Sequence, residues 1–135
     1  MGDRLRAIVA GAVPQNEADV RVDADPQLEA TIDARALDRI ISNLLVNAFR
    51  YGRPPVIVRA GSAASGLSIV VEDAGPGVSP EFVPQLFERF ARGGSQGTGL
   101  GLAIARSYAR AHSGELIYRP ATPHGALFEV VLPAV

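Results

Sequence analysis

Helix-like and strand-like periodicities alternate along this chain, and their order predicts an α/β fold: a two-layer sandwich in which a mixed sheet carries helices on one face. Two observations carry that reading. Three segments repeat apolar residues with the period of a helix, and shorter ones alternate with the period of a strand. The strands also come in runs between the helices, whereas a doubly wound parallel sheet needs one helix per strand.

The first helix is expected over residues 3–13, where Leu5, Ile8, Val9 and Ala12 fall at helical spacing and Pro14 stops them. Val20 to Ala24 alternates as a half-buried strand, and a second short strand is expected from Leu28 to Ile32. Asp33 is a good N-cap for the clearest helix, residues 34–51, in which Leu37, Ile40, Ile41, Leu44, Leu45 and Ala48 stand at i, i+3, i+4, i+7, i+8 and i+11. Gly52 and Pro54-Pro55 end it. Val56 to Ala60 and Leu67 to Glu72 read as two strands joined by the small-residue turn Gly61 to Gly66. From Asp73 to Gly101 the periodicity breaks up around glycines and prolines, with one apolar patch from Phe82 to Phe90; a long irregular stretch inside a compact domain is usually functional. A third helix is expected over residues 99–112. Glu115 to Arg119 and Leu127 to Leu132 close the chain as a strand pair across the turn from Pro120 to Gly125.

At 135 residues the whole chain, 1–135, reads as one domain able to bury a core. It contains no apolar run near the roughly 18 to 20 residues a membrane span needs. With no cysteine, disulfides and thiolate metal sites are excluded. A formal net charge of −1 supplies no broad field for nucleic acid, so any phosphate binding must be local. Because Met1 runs straight into a helical pattern, the chain is expected to be a domain cut from a longer protein.

Three short motifs carry the chemistry. In Asn43-Leu-Leu-Val-Asn47 the two amides stack on one helix face, with Arg50 and Tyr51 a turn later on the same side. Asparagine is a middling helix former, so the pair is either a solvated or cap-like face or a source of amide oxygen for a hard cation such as magnesium. In Asp73-Ala-Gly75-Pro-Gly77 a lone acid precedes a glycine turn that permits close ligand approach. Its carboxylate either closes an Asx-turn or accepts a hydrogen bond from an exocyclic amine, the contact that separates adenine from guanine. Gly97-Thr98-Gly99-Leu100-Gly101-Leu102 places alternate glycines just before an amphipathic helix, which leaves backbone N–H groups at a positive dipole end for an anion, with a hinge as the alternative. Neither a dinucleotide fingerprint nor a P-loop can be drawn through these glycines. Arg89 and Arg92 fall on the loop facing that anion site, where they either pair a terminal phosphate or remain surface charges. Phe87 and Phe90 are expected to anchor that loop to the core. His112 is expected to cap or pack, His124 sits in a turn, and no serine triad or metal cluster can be assembled.

These residues in this order resemble the catalytic ATP-binding domain of bacterial sensor histidine kinases, in the superfamily that also holds the gyrase, heat-shock-90 and mismatch-repair ATPases. Asn43 to Tyr51 is similar to the N box, Asp73 to Gly77 to the first glycine box, Phe87 to Phe90 to the F box and Gly97 to Leu102 to the second glycine box. The closing Gly125 to Pro133 is similar to the usual last strand. The resemblance implies the Bergerat fold, with a mixed, mostly antiparallel sheet and three main helices on one face. It implies ATP and Mg2+ as ligands, with Asn47 on the magnesium, Asn43 beside the phosphates, and Arg50 and Tyr51 near phosphate and ribose. Asp73 would take the adenine amine, with Gly75 in its turn and Gly77 lining the base pocket. Gly97, Thr98 and the amides of Gly99 to Leu102 would hold the triphosphate, with Arg89 and Arg92 on the lid and Asn43 and Arg92 serving the transfer.

The implied activity is protein-histidine kinase: γ-phosphoryl transfer to a histidine on an adjacent dimerisation domain, for relay to a response regulator. The parent would be a homodimer, this part cytoplasmic, and membrane anchoring of the parent is left open. The acceptor histidine helices are not in this chain. Only Gly93 to Gln96 separates Arg92 from Gly97, so lid closure over ATP is expected to be weak or to need the partner domain. The hydrolytic branches place a glutamate base four residues before the metal-binding asparagine; here Asn43, which cannot take a proton from water, disfavours hydrolysis. The alternatives are a stand-alone serine kinase of the anti-sigma-factor type on the same fold, and a degenerate nucleotide-binding or interaction module.

Overall fold

The computed structural model describes residues 1–64, 66–88 and 100–133. Five strands form one sheet in the order β1-β2-β3-β5-β4: β1 (Val20–Ala24), β2 (Val56–Ala63), β3 (Gly66–Glu72), β4 (Glu115–Pro120) and β5 (Ala126–Pro133). Only the edge pair β1 and β2 runs parallel; the other pairs are antiparallel, giving the mixed sheet the sequence predicts.

Strand alternation decides which face is covered. Val56, Val58 and Ala60 of β2, Leu67, Ile69 and Val71 of β3, and Phe128, Val130 and Leu132 of β5 are all buried. Their neighbours in sequence carry the polar side, where Arg59 pairs with Glu72 at 2.8 Å and Ser68 Oγ donates to Glu129 at 2.6 Å. A two-residue period with one face buried pins the register, because a one-residue slip would turn every core side chain outward.

The helical layer consists of α1 (Gly2–Ala12), α2 (Ala34–Tyr51) and α3 (Gly101–Ala111), with α2 packed against both others. The α2 helix begins where expected because Asp33 accepts from the backbone N–H groups of Arg35 and Ala36 at 2.9 and 3.1 Å. Its stripe of Leu37, Ile40, Ile41, Leu44 and Leu45 is fully buried, each side chain contributing about 1.5–3 kcal/mol. Gly52 N–H closes the last turn on Ala48 O at 2.9 Å, and the two prolines beyond cannot continue it. The smaller faces of Leu5, Ile8 and Val9 on α1 and Leu102, Ala105 and Ala109 on α3 complete the core.

One expected strand is not formed. Residues 28–32 are irregular, because Asp25 turns the chain through bonds from Gln27 N–H and Leu28 N–H, and the segment then crosses from β1 to the start of α2. Leu28 is buried and Ile32 partly so while Ala30 between them is exposed, so the two larger side chains plug the core from a loop and the alternation of a strand is not kept. The β2–β3 hairpin is also tighter than expected, pairing as far as Ala63 opposite Gly66. Two 3-10 turns, Pro14–Asp19 and Val83–Gln85, have too few residues to leave a period in the sequence.

Candidate nucleotide-binding site

Leu67, Ile69 and Val71 point into the core, and Asp73 continues their alternation one step beyond the end of β3. That register buries a carboxylate: Asp73 is 5% exposed and is the buried charged side chain among the described residues. Burial raises its pKa above the ordinary carboxylate range, opposed in part by the Gly75 N–H, which donates to Oδ1 at 2.8 Å. The surrounding backbone is fixed by Asp73 N–H to Ala126 O at 3.0 Å and Ala74 N–H to Arg53 O at 2.9 Å.

Glycine lets this carboxylate sit where it does. A Cβ on Gly52 would lie 2.3 Å from Asp73 Cγ, and one on Gly75 would lie 2.7 Å from Gly52 Cα. Gly77 adopts φ +80°, which turns the chain across the mouth of a cavity of about 230 Å³. Asp73, Gly77, Val78 and Phe82 line one side of that cavity and Ala126 and Phe128 of β5 another, while Asn47, Tyr51 and Gly52 at the end of α2 close it.

A second cavity, about 190 Å³, lies between α2 and α3 and shares Asn47 and Tyr51 with the first. Asn43, Val46 and Arg50 line it from α2, and Leu100, Gly101, Leu102 and Ile104 from the start of α3, with Leu86 below. The stacking expected of Asn43, Asn47, Arg50 and Tyr51 therefore places all four on one wall. Asn43 Nδ2 donates to Arg39 O at 2.8 Å, which leaves Oδ1 directed at Gly101, where a Cβ would stand 3.5 Å away. No side chain caps the N-terminus of α3 among the described residues.

Of the other residues singled out in the sequence, Arg89, Phe90, Arg92, Gly97, Thr98 and Gly99 lie outside the described residues. Phe87 packs edge-on against Phe128, centroids 6.3 Å apart, with the Arg106 guanidinium 4.9 Å over its face. It thus anchors the segment to the wall of the first cavity. His112 bonds Tyr108 O at 3.0 Å and Asp33 at 3.3 Å, a capping role beside a separate cavity that both side chains line with Ala36 and Leu132. Sequence reasoning did not single out Val78, Ser79, Phe82 or Leu86, and took Gly52 for a helix stop alone; the apolar patch from Phe82 was the available signal. Among the described residues no three His, Cys, Asp or Glu side chains are grouped for a metal.

The comparisons with known proteins agree with this geometry. Residues 32–135 match the profile of the histidine kinase-, DNA gyrase B-, and HSP90-like ATPase family. The signal transduction histidine-protein kinase AfsQ2 of Streptomyces coelicolor is 40% identical over 119 residues, which cover 84% of this chain and 22% of that protein. The sensor histidine kinase component HK1 of Mycobacterium tuberculosis is 37% identical over 123 residues, covering 86% of this chain and 71% of that one. The structure of the mycobacterial sensor histidine kinase MprB superposes with a TM-score of 0.75 at 29% identity, over 98% of this chain and 93% of that one. The chain spans a quarter or less of the length of several of the curated relatives it matches, and what the matches establish is its family: it belongs to the histidine kinase-, DNA gyrase B- and HSP90-like ATPases, on the side of the sensor histidine kinases.

Proposed function

We propose that this domain binds magnesium-loaded ATP across the two joined cavities and presents its γ-phosphoryl group to a histidine on the dimerisation domain of a longer, homodimeric parent, for relay to a response regulator. The observation that carries the reading is the shared wall: Asn47 and Tyr51 border both the cavity that holds the buried Asp73 carboxylate and the cavity that opens at the N-terminus of α3. In this reading the buried Asp73 carboxylate, which already takes the Gly75 N–H on Oδ1, also accepts from the adenine amine, and Gly77 and Phe82 border the base. Arg50, Gly101 and Leu102 border the phosphates, with Asn43 Oδ1 beside them.

The donor set fits a hard cation held mostly by phosphate and water, since Asn47 offers one amide oxygen where no carboxylate cluster stands among the described residues. Magnesium there would neutralise phosphate charge during transfer. The Asn43 amide is too weakly basic to take a proton from water, which favours transfer over hydrolysis. Val46 and Ile104, 39% and 37% exposed, give the second cavity an apolar rim against which an acceptor helix can dock. No helix among the described residues is long and apolar enough to cross a membrane. In this reading the domain works in the cytoplasm, where its parent meets the response regulator.

Calorimetric titration with ATP, with and without magnesium, tests the binding step, and mixing the domain with a histidine-bearing dimerisation domain and γ-labelled ATP tests the transfer. Heat of binding that grows with magnesium, followed by acid-labile label on the partner, is the expected result. No heat above background overturns the proposal.

A further inference from the structure

The turn from Asp73 to Val78 that lines the first cavity is held from outside it at its middle and at its far end. Gly75 O accepts from His124 Nδ1 at 3.1 Å, and Val78 N–H donates to Tyr118 Oη at 3.3 Å. A carbonyl can only accept, so Nδ1 of His124 carries the proton. Both side chains come from the β4–β5 hairpin, and neither lines the cavity. The hairpin also presses backbone against backbone there: a Cβ on Gly125 would lie 2.0 Å from Asp73 O, and one on Gly77 would lie 3.0 Å from Gly125 O. Tyr118 in turn packs at a tilt against Phe128, centroids 5.4 Å apart, and Phe128 lines the cavity.

We propose that His124 and Tyr118 are positioning residues that set base recognition, by bracing the Asp73 to Val78 turn at its middle and at its far end and so fixing the carboxylate and the width of the cavity. This rests on the assignment of the first cavity to the adenine base. Backbone groups so held cannot drift when the ligand arrives, and the discrimination a buried carboxylate gives depends on that fixity.

Calorimetry with ATP and with inosine triphosphate, which carries a carbonyl where adenine carries its amine, separates bracing from general loosening. His124→Ala and Tyr118→Phe should each weaken ATP about fivefold and inosine triphosphate far less, narrowing the ratio between them. His124→Asn, whose Nδ2 falls near the place of Nδ1, should return the ratio toward that of the unaltered chain. The ratio is taken within one variant, so a partly unfolded sample changes the number of sites and not the ratio. If the unaltered chain fails to prefer ATP, the reading of the base cavity falls and this inference with it. If it prefers ATP and both variants keep the same preference, this inference alone is overturned.

Discussion

The Asp73 carboxylate rests on Gly52, so closely that a single added carbon on Gly52 would stand 2.3 Å from Asp73 Cγ. The glycine that caps α2 and the acid just beyond β3 are thus one unit, and the helix stop doubles as the seat of the carboxylate. Gly52→Ala should displace Asp73, with a stability cost of about 1–3 kcal/mol and at least a tenfold loss of ATP affinity. Gly61→Ala is the control, since a Cβ there meets nothing within 4 Å and should leave affinity unchanged. Parallel thermal melts and ATP titrations of the two variants check this; equal affinities would separate Gly52 from the site.

Asp73→Asn tests the acceptor itself. The asparagine Oδ1 can still receive the Gly75 N–H at 2.8 Å, so the turn should survive and the melting temperature should change little. The second position becomes an N–H donor facing the amine of the base, and a charge-assisted bond is lost as well. ATP affinity should fall about 30- to 100-fold. A variant that melts far below the unaltered chain would give Asp73 a structural role instead.

Much of the fold was legible because independent signals coincide. At α2 a capping aspartate, an uninterrupted apolar stripe and a glycine-proline stop all mark the same helix, and its bounds follow. At residues 28–32 the alternation of Leu28, Ala30 and Ile32 is too short and too weak at its central alanine to separate a strand from a plugged loop, and tertiary context decided for the loop. Around the candidate site, Asn47 and Asp73 were legible as candidates because polar residues beside an apolar stripe or a glycine turn require a reason. Tyr118 and His124 were not, since their partners Val78 and Gly75 lie 40 and 49 residues away and meet them only because β5 sits between β3 and β4.

Asn47 is the position where metal and nucleotide dependence should part. Alanine is the best helix former, so Asn47→Ala should leave α2 intact. If Asn47 supplies the protein oxygen on magnesium, the variant should bind ATP with the same affinity in magnesium and in EDTA, while the unaltered chain binds about tenfold more tightly in magnesium. Titrations under the two conditions, with circular dichroism to check the helix, decide it. A variant that keeps the full magnesium effect would place the metal elsewhere.

At the far end of the same helices, His112 joins the C-terminus of α3 to Asp33, the N-cap of α2, at 3.3 Å. The Tyr108 carbonyl first, and then Asp33, hold the His112 pKa above its ordinary value. The Ala36 N–H first, and then His112, hold that of Asp33 below its own. The His112 contribution is complete below its unfolded pKa of about 6.5 and is lost as pH rises through the raised folded value. The Asp33 contribution is complete above about 3.9 and is lost as pH falls through the lowered one. The pair should therefore be at full strength between about pH 4 and 6.5. Thermal melts of the unaltered chain and of His112→Gln from pH 5.5 to 8.5 should show a melting-temperature gap that is widest at the acid end and closes as the imidazole loses its proton. Both groups are solvent-accessible, so added salt should narrow the gap at pH 5.5 as well. A gap that is the same at every pH would mean that the histidine acts through its neutral bond to Tyr108 alone.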